Sequence, residues 1–318
     1  MGSNLWQRRE TALGFALLLL ALGVGALRPD YLRPENLRDI LLNASSPAVA
    51  AAGMTVLIVA GQIDISVGAI LAVSATTVVL LGQAGCPPLL LAPAGIAVGA
   101  GLGAVNGALT AGLGIPAIVT TLATLGAIRG ALVLTTHGAS IPSPPALTAL
   151  GSGVWAGLPF PIWAAAAVCL GMGLYLARTR PGRRHYAVGS APRSAALSGV
   201  PVRRVTFWSF VWVGALAGLA GFLYVCRFTP VYPTPPRGFE LEVITAVVVG
   251  GTEITGGRGT LLGTVLAALL LSGVGVALTF IGSSFTALRS EIQPALQGLL
   301  VLAAVLYTAR AHRGEGHA

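Results

Sequence analysis

Of the 318 residues, 55% are apolar and 9% charged, against roughly 25% charged in a soluble domain, so the chain cannot build a water-soluble surface and reads as a polytopic membrane protein. Its 19 basic residues are all arginine and outnumber the 10 acids, for a formal charge of +9. Without lysine there is no G-x-x-x-x-G-K-[ST] phosphate loop, so any ATP that drives this chain is hydrolysed on another subunit.

Apolar length and punctuation predict an all-α chain with about ten spans, in a range of eight to eleven, near 11–27, 47–63, 64–82, 89–112, 115–135, 158–178, 205–226, 242–257, 260–280 and 292–309. Arg8 and Arg9 ahead of the run Ala12–Leu27 imitate a signal peptide, but the spans that follow favour an uncleaved first helix. The stretch 47–82 is interrupted only by Asp64, and 89–135 mainly by Gly114-Ile115-Pro116; either can hold re-entrant halves. The piece 242–257 is short and ends in Gly256-Gly257, and irregular backbone at that depth needs protein or a water-lined cavity around it. No room is left for a soluble domain, so 1–318 is expected to be one transmembrane domain.

Arginine sets the orientation, because cytoplasmic loops accumulate it. With the amino terminus inside, twelve arginines fall on inner segments and six on outer ones, which favours both termini cytoplasmic. Seven of the twelve lie between Arg178 and Arg204, the one substantial inner loop (178–204). That loop is the place where a soluble partner would dock, or it is merely topogenic. Arginines flanking apolar runs argue against nucleic acid as a partner. Cys86, Cys169 and Cys226 have no paired spacing, and the histidines form no ligand cluster, so neither disulfides nor metal are expected.

Gly99, Gly103 and Gly107 make successive small-x-x-x-small steps, repeated by Gly126 with Gly130 and by Gly214 with Gly218. Such steps let helix backbones approach closely where lipid gives no hydrophobic drive. There is also an internal echo: Gly61-Gln-Ile-Asp64-Ile-Ser66-Val-Gly68 lines up with Gly250-Gly251-Thr-Glu253-Ile-Thr255-Gly256-Gly257. A duplicated unit of the kind many transporters carry would explain it, as would chance in an Ala/Gly/Val-rich chain.

An aspartate at a helix centre costs about 2.5–3.5 kcal/mol on insertion scales, so Asp64 needs a compensating role. It can cap the next helix together with Ser66, pair with an arginine such as Arg129, or face a wet pathway. Arg129 is the other intramembrane charge; it either snorkels to the outer interface or functions in place. Asn106, Thr120, Thr121 and Thr124 can offer hydrogen bonds to a hydroxylated solute or bridge helices. No nucleophile, base or paired-carboxylate arrangement points to an enzyme.

Four segments in order resemble one family. GQIDISVGAILAVSA (61–75) resembles the GGIDLSVG motif of permease subunits of bacterial ABC importers for monosaccharides, the ribose, rhamnose and autoinducer-2 type. GAVNGALTAGLGIPAIVTTLATLGAIRG (103–130), GRRHYAVGSAPRSAALSGVPV (182–202) and GFELEVITAVVVGGTEITGGRGTLLGTVLAALL (238–270) resemble its other signatures. The resemblance runs from about Asn36 to Tyr307, with departures at Gln62, Ala191, Arg193 and Glu253. It implies a type II importer-like, multi-pass permease of the bacterial inner membrane, embedded in lipid. It implies separate ABC ATPase subunits that hold ATP and Mg, a periplasmic substrate-binding protein, and a second permease copy, identical or paralogous. It implies no cofactor on this chain. A coupling helix is implied near Pro192 to Gly199, with Ala195, Ala196 and Gly199 as its small docking face and Gly189 and Ser198 beside it. The substrate pathway is expected to involve Asp64, Ser66, Asn106, Thr120, Thr121, Arg129 and Glu253. The motif glycines are Gly61, Gly68, Gly107, Gly250, Gly251, Gly256, Gly257 and Gly259. The reading from another class is a self-sufficient secondary transporter or facilitator, supported by the echo and the intramembrane carboxylates.

Overall fold

The computed structural model describes residues 3–232 and 238–281, with isolated positions beyond them. Over residues 3–281, twelve α-helices are described in chain order: α1 (Ser3–Leu27), α2 (Pro34–Val59), α3 (Val67–Gln83), α4 (Pro88–Gly107), α5 (Ala117–Thr136), α6 (Pro145–Ser152), α7 (Phe160–Arg178), α8 (Arg180–Ser190), α9 (Pro192–Leu197), α10 (Val202–Arg227), α11 (Phe239–Val249) and α12 (Leu261–Ile281). Proline opens many of them, because a first-turn residue has no use for its amide hydrogen: Pro34, Pro88, Pro145 and Pro192 each stand at a helix start. Seven helices among the described residues are long and apolar enough to cross a membrane: α1, α2, α4 with its extension, α5, α7, α10 and α12.

The expected spans are corrected in two places. The second helix begins at Pro34, not near residue 47, and continues through Pro47. Its first turns look like loop in the sequence because Glu35, Arg38, Asp39 and Asn43 are polar, yet Asp39 is held by Arg227 at 3.2 Å across to α10. The piece expected at 242–257 is a helix only over Phe239–Val249, roughly 16 Å at 1.5 Å per residue, and then breaks into loop. The expected span 292–309 lies outside the described residues. As anticipated for 47–82, the chain does not run as one helix: 60–66 separates α2 from α3.

The core is built from α2, α3 and α10, with α4 laid along α10 and α12 along α2. The closest crossing is α4 on α10. A Cβ on Gly99 would strike the carbonyl oxygen of Gly214, one on Gly103 that of Phe210, and one on Gly218 that of Gly95. Two glycine series read separately in the sequence are thus the two sides of one contact. Gly126 and Gly130 behave differently: a Cβ on either meets nothing within 4 Å, so that third step packs no helix among the described residues. The last turn of α4 widens into a π-helix, Ala108–Gly112, before Pro116 starts α5. At the far end a short hairpin, β1 (Val154–Trp155) with β2 (Leu158–Pro159), turns through Ala156 and Gly157. Both have positive φ, 45° and 85°, as a two-residue turn requires.

Candidate functional site

The two echoed segments are the two helix breaks, and they share one hydrogen-bond pattern. After α2, Ala60, Gly61 and Gln62 donate their amides to Val56, Ile58 and Leu57; after α11, Gly250, Gly251 and Thr252 donate to Ala246, Val248 and Val247. In each the third of these bonds spans five residues around a left-handed glycine, Gly61 at φ 79° and Gly251 at φ 98°, which is the Schellman stop. Gly61 therefore corresponds to Gly251, one residue later than the sequence register, and Thr55-Val-Leu-Ile-Val-Ala-Gly61 matches Thr245-Ala-Val-Val-Val-Gly-Gly251. Glu253 consequently is not the counterpart of Asp64. The two breaks also touch: the amide of Gly257 donates to Val59 O at 2.8 Å, and a Cβ on Gly256 would lie 2.8 Å from the backbone of Gly61.

Asp64 is fully buried just before α3, and its carboxylate closes a polar knot. Oδ1 accepts the amide of Ser66 at 2.7 Å and the Ser66 hydroxyl at 2.5 Å. Oδ2 accepts Asn106 Nδ2 at 3.1 Å, and the same nitrogen donates to Ser66 Oγ at 2.9 Å. Asp64 thus holds the turn entering α3 and ties it to the C-terminal end of α4. Of the roles open to Asp64 in the sequence, the pair with Arg129 does not form.

Arg129 neither snorkels nor meets Asp64. From α5 its Nη2 reaches Glu240 Oε1 on α11 at 2.9 Å. The other carboxylate oxygen of Glu240 lies 2.6 Å from where a Cβ on Gly68 would stand, so only glycine in the first turn of α3 admits this ion pair. Glu240 Oε2, Arg129 Nε, Asn106 Oδ1 and Thr120 Oγ1 are buried without a hydrogen-bond partner among the described residues. Thr121 and Thr124 bond back to carbonyls of their own helix, so neither bridges helices. Glu240 was missed at the sequence level because Arg237 beside it made it look like an outer-loop charge; the available signal was an acid opening the apolar run of α11.

Glu253 stands apart from this cluster. It pairs with Arg258 at 3.4 Å, and its amide donates to the Arg258 carbonyl at 3.0 Å, closing the loop between α11 and α12. Gly259 packs against the side chain of Thr252, and Gly250 against the backbone of Gly263 and Thr264. These motif glycines are contact positions between chain segments. Gly107 likewise packs on Phe207.

The loop 178–204 folds into α8 and α9. Thr179 caps α8, its hydroxyl accepting the Gly182 amide at 3.0 Å. The buried face of α8 is Gly182, His185 and Val188, while Arg183 and Arg184 are exposed. His185 is sandwiched between Tyr175 Oη and Ser209 Oγ, both at 3.0 Å. Because the Ser209 hydroxyl donates to Val205 O, Nδ1 carries the proton toward Ser209 and Nε2 accepts from Tyr175. Burial pushes the imidazole down to about 4, so it is neutral at pH 7. At the other end of α8, a Cβ on Gly189 would collide with Val59 O and lie 2.5 Å from Gly257 N, the very bond that joins the two breaks. In α9, Ala195 is buried with Val188 and Val205 and so belongs to the anchor rather than the docking face. Pro192, Ala196, Ser198 and Gly199 are exposed, and the sequence reading passed over Leu197, which projects with 91% of its surface exposed.

The comparisons with known proteins match this architecture. Residues 36–306 match the family model described as branched-chain amino acid transport system / permease component. The chain is 33% identical over 306 residues to the ribose import permease protein RbsC of Escherichia coli K12, covering 95% of this chain and 94% of the relative. It is 34% identical to RbsC of Bacillus subtilis 168 (91% and 89% covered), and 32% identical to the L-arabinose transport system permease protein AraH of E. coli K12 (96% and 91% covered). With apolar helices able to span a bilayer along its length, this multi-pass membrane protein belongs to the family of branched-chain amino acid transport system permease components.

Proposed function

We propose that this chain is the permease subunit of an ATP-driven importer that carries a monosaccharide, a pentose by the names of its relatives, across the bacterial inner membrane. It forms a single transmembrane domain with both termini cytoplasmic and pairs with a second permease. ATP and Mg belong to separate ATPase subunits, and a periplasmic binding protein delivers the solute. The family's description speaks of amino acids, but each relative named above is a pentose permease, and the charge pair Arg129 with Glu240 is already mutually neutralised.

The observation that carries the reading is Gly189. An exposed six-residue helix with a projecting Leu197 is mounted on α8, and α8 ends against the hydrogen bond that joins the two breaks. Movement of α9 by an ATPase would therefore be delivered to Val59 and Gly257 together. Asp64 and Ser66 lie five and seven residues beyond Val59, and the unpartnered atoms of Asn106, Thr120, Arg129 and Glu240 face solute hydroxyls along the pathway that this movement opens. A self-sufficient transporter gives α9 no task. The test is copurification and uptake: Leu197→Asp, or deletion of Pro192 to Gly199, removes the ATPase while the chain still inserts in the membrane. ATPase retention by both variants refutes the coupling assignment, and solute accumulation by the chain alone in liposomes without nucleotide refutes the reading as a whole.

A further inference from the structure

Roughly 30 Å along α10 from its start beside α9, the bundle carries a partly open pocket of about 380 Å³ between the first half of α2, the end of α10, the start of α11 and the end of α12. None of the residues expected to carry the solute lines it. Its wall includes Asn43, Tyr224, Arg227, Phe228, Phe239 and Glu242. Glu242 is two residues from Glu240, about 200° around a helix, so the first turn of α11 turns one carboxylate to Arg129 and the other into this cavity.

The polar groups of the wall divide into those already engaged and those left open. The serine and threonine hydroxyls donate to backbone carbonyls, and Arg227 is held by Asp39. Asn43 and Glu242 have no side-chain partner among the described residues. A carboxylate drawn from water is costly unless it is hydrogen-bonded, and two vicinal hydroxyls satisfy it without bringing a charge. The rings of Tyr224 and Phe228 lie 4.6 Å apart, tilted by 36°, and offer an apolar surface to the C–H face of a sugar. Arg227, 5.9 Å from the Phe228 centroid, is paired with Asp39 and so adds no free charge to the wall. The volume is at the lower end of the roughly 300–1,000 Å³ of small-molecule pockets, room enough for one sugar ring.

We infer that this cavity is a monosaccharide-binding vestibule on the side of the bundle away from α9, in which Glu242 accepts hydroxyl protons and Asn43 supplies the complementary amide. The ligand class rests on the proposed function; the cavity and its open carboxylate do not. The solute would wait here, two residues along α11 from the Arg129–Glu240 pair, before the breaks move.

The experiment is saturation-transfer difference NMR on the full chain in lipid nanodiscs without other subunits. D-ribose, L-arabinose, D-xylose, D-galactose and L-rhamnose serve as probes, with potassium and choline as cationic competitors. ATP-dependent uptake of the same panel by the reconstituted assembly is measured in parallel. The expected result is that a transported sugar gives a difference signal with the wild type, weakened at least tenfold in affinity by both Glu242→Gln and Asn43→Ala, with each variant's melting midpoint unchanged. Transport with no signal from the lone chain, a signal unchanged in both variants, or displacement by the cations overturns the vestibule and leaves the importer standing. A signal lost in the variants with no uptake of any probe overturns the importer and keeps the sugar site. Neither binding nor uptake overturns both.

Discussion

Replacing Asp64 separates its structural work from any part in transport, because each of its bonds has a definite donor. In Asp64→Asn one oxygen remains to accept from Ser66, but an NH2 group now stands 3.1 Å from Asn106 Nδ2, donor against donor. Asn106 Oδ1 has no partner, so its amide can turn over and restore one bond, at a net cost of about 1 kcal/mol. Asp64→Leu offers no such escape. The Ser66 amide and the Ser66 hydroxyl are left buried without their acceptor, at about 1–3 kcal/mol each, for a total near 4 kcal/mol, while Asn106 keeps only its bond to Ser66 Oγ. Asp64→Asn combined with Asn106→Asp reverses donor and acceptor across the same contact and should regain most of the loss. The assay is the thermal unfolding midpoint of the purified chain in nanodiscs, together with membrane abundance and uptake by the assembly. The expected stability order is wild type, the double exchange, Asp64→Asn, then Asp64→Leu, with uptake in Asp64→Asn falling further than abundance. If Asp64→Leu unfolds no earlier than Asp64→Asn, or the double exchange recovers nothing, the knot is not what holds α3 to α4.

Three more outcomes follow from the same contacts. Gly214→Val drives a side chain into the backbone of Gly99 and Gly103 and should destabilise by about 1–3 kcal/mol or more through overpacking, whereas Gly101→Val, with nothing within 4 Å of its Cβ, should leave the unfolding midpoint unchanged; equal effects would refute the α4–α10 contact. Gly189→Ala displaces the Gly257–Val59 hydrogen bond and should cut sugar-stimulated ATP hydrolysis while the ATPase still copurifies; normal stimulation would count against transmission through α8. His185 is neutral in the fold, with its pKa lowered from 6.5 to about 4 by burial, so the unfolded chain takes up the proton first: the stability it confers is complete above pH 6.5 and is lost as pH falls from 6.5 through about 4. The loss is up to roughly 3 kcal/mol, read as an acid-labile melting midpoint that His185→Gln makes flatter across that window.

How much of this was legible in the sequence depends on the range of the cause. Spans driven by continuous apolar length, such as α5, α7 and α10, fall within a few residues of expectation, because bilayer thickness and local composition decide them. The start of α2 did not, because Asp39 and Asn43 resemble loop until Arg227 and the cavity wall are placed beside them. Glycine spacing identified both faces of the α4–α10 crossing but could not pair them, and it also promoted Gly126 and Gly130, which pack nothing among the described residues. Spacing records that close approach is permitted, whereas the partner is a property of the whole bundle.

The polar cluster makes the same distinction at the level of chemistry. Asp64, Ser66 and Asn106 were individually conspicuous as polar residues in apolar runs, and they meet. Arg129 was equally conspicuous, yet its partner is Glu240, 111 residues away, and what admits the pair is the missing side chain of Gly68. The one-residue shift of the internal echo has a similar origin. Matching letters aligns Asp64 with Glu253, while matching the hydrogen bonds that stop each helix aligns Gly61 with Gly251. The repeated feature is therefore the helix stop, not the acid after it. Two equivalent stops that touch through Gly257 and Val59 can be moved by a single lever, whereas the residues beyond them differ, a buried carboxylate knotted to Ser66 and Asn106 on one side and an arginine-held loop on the other.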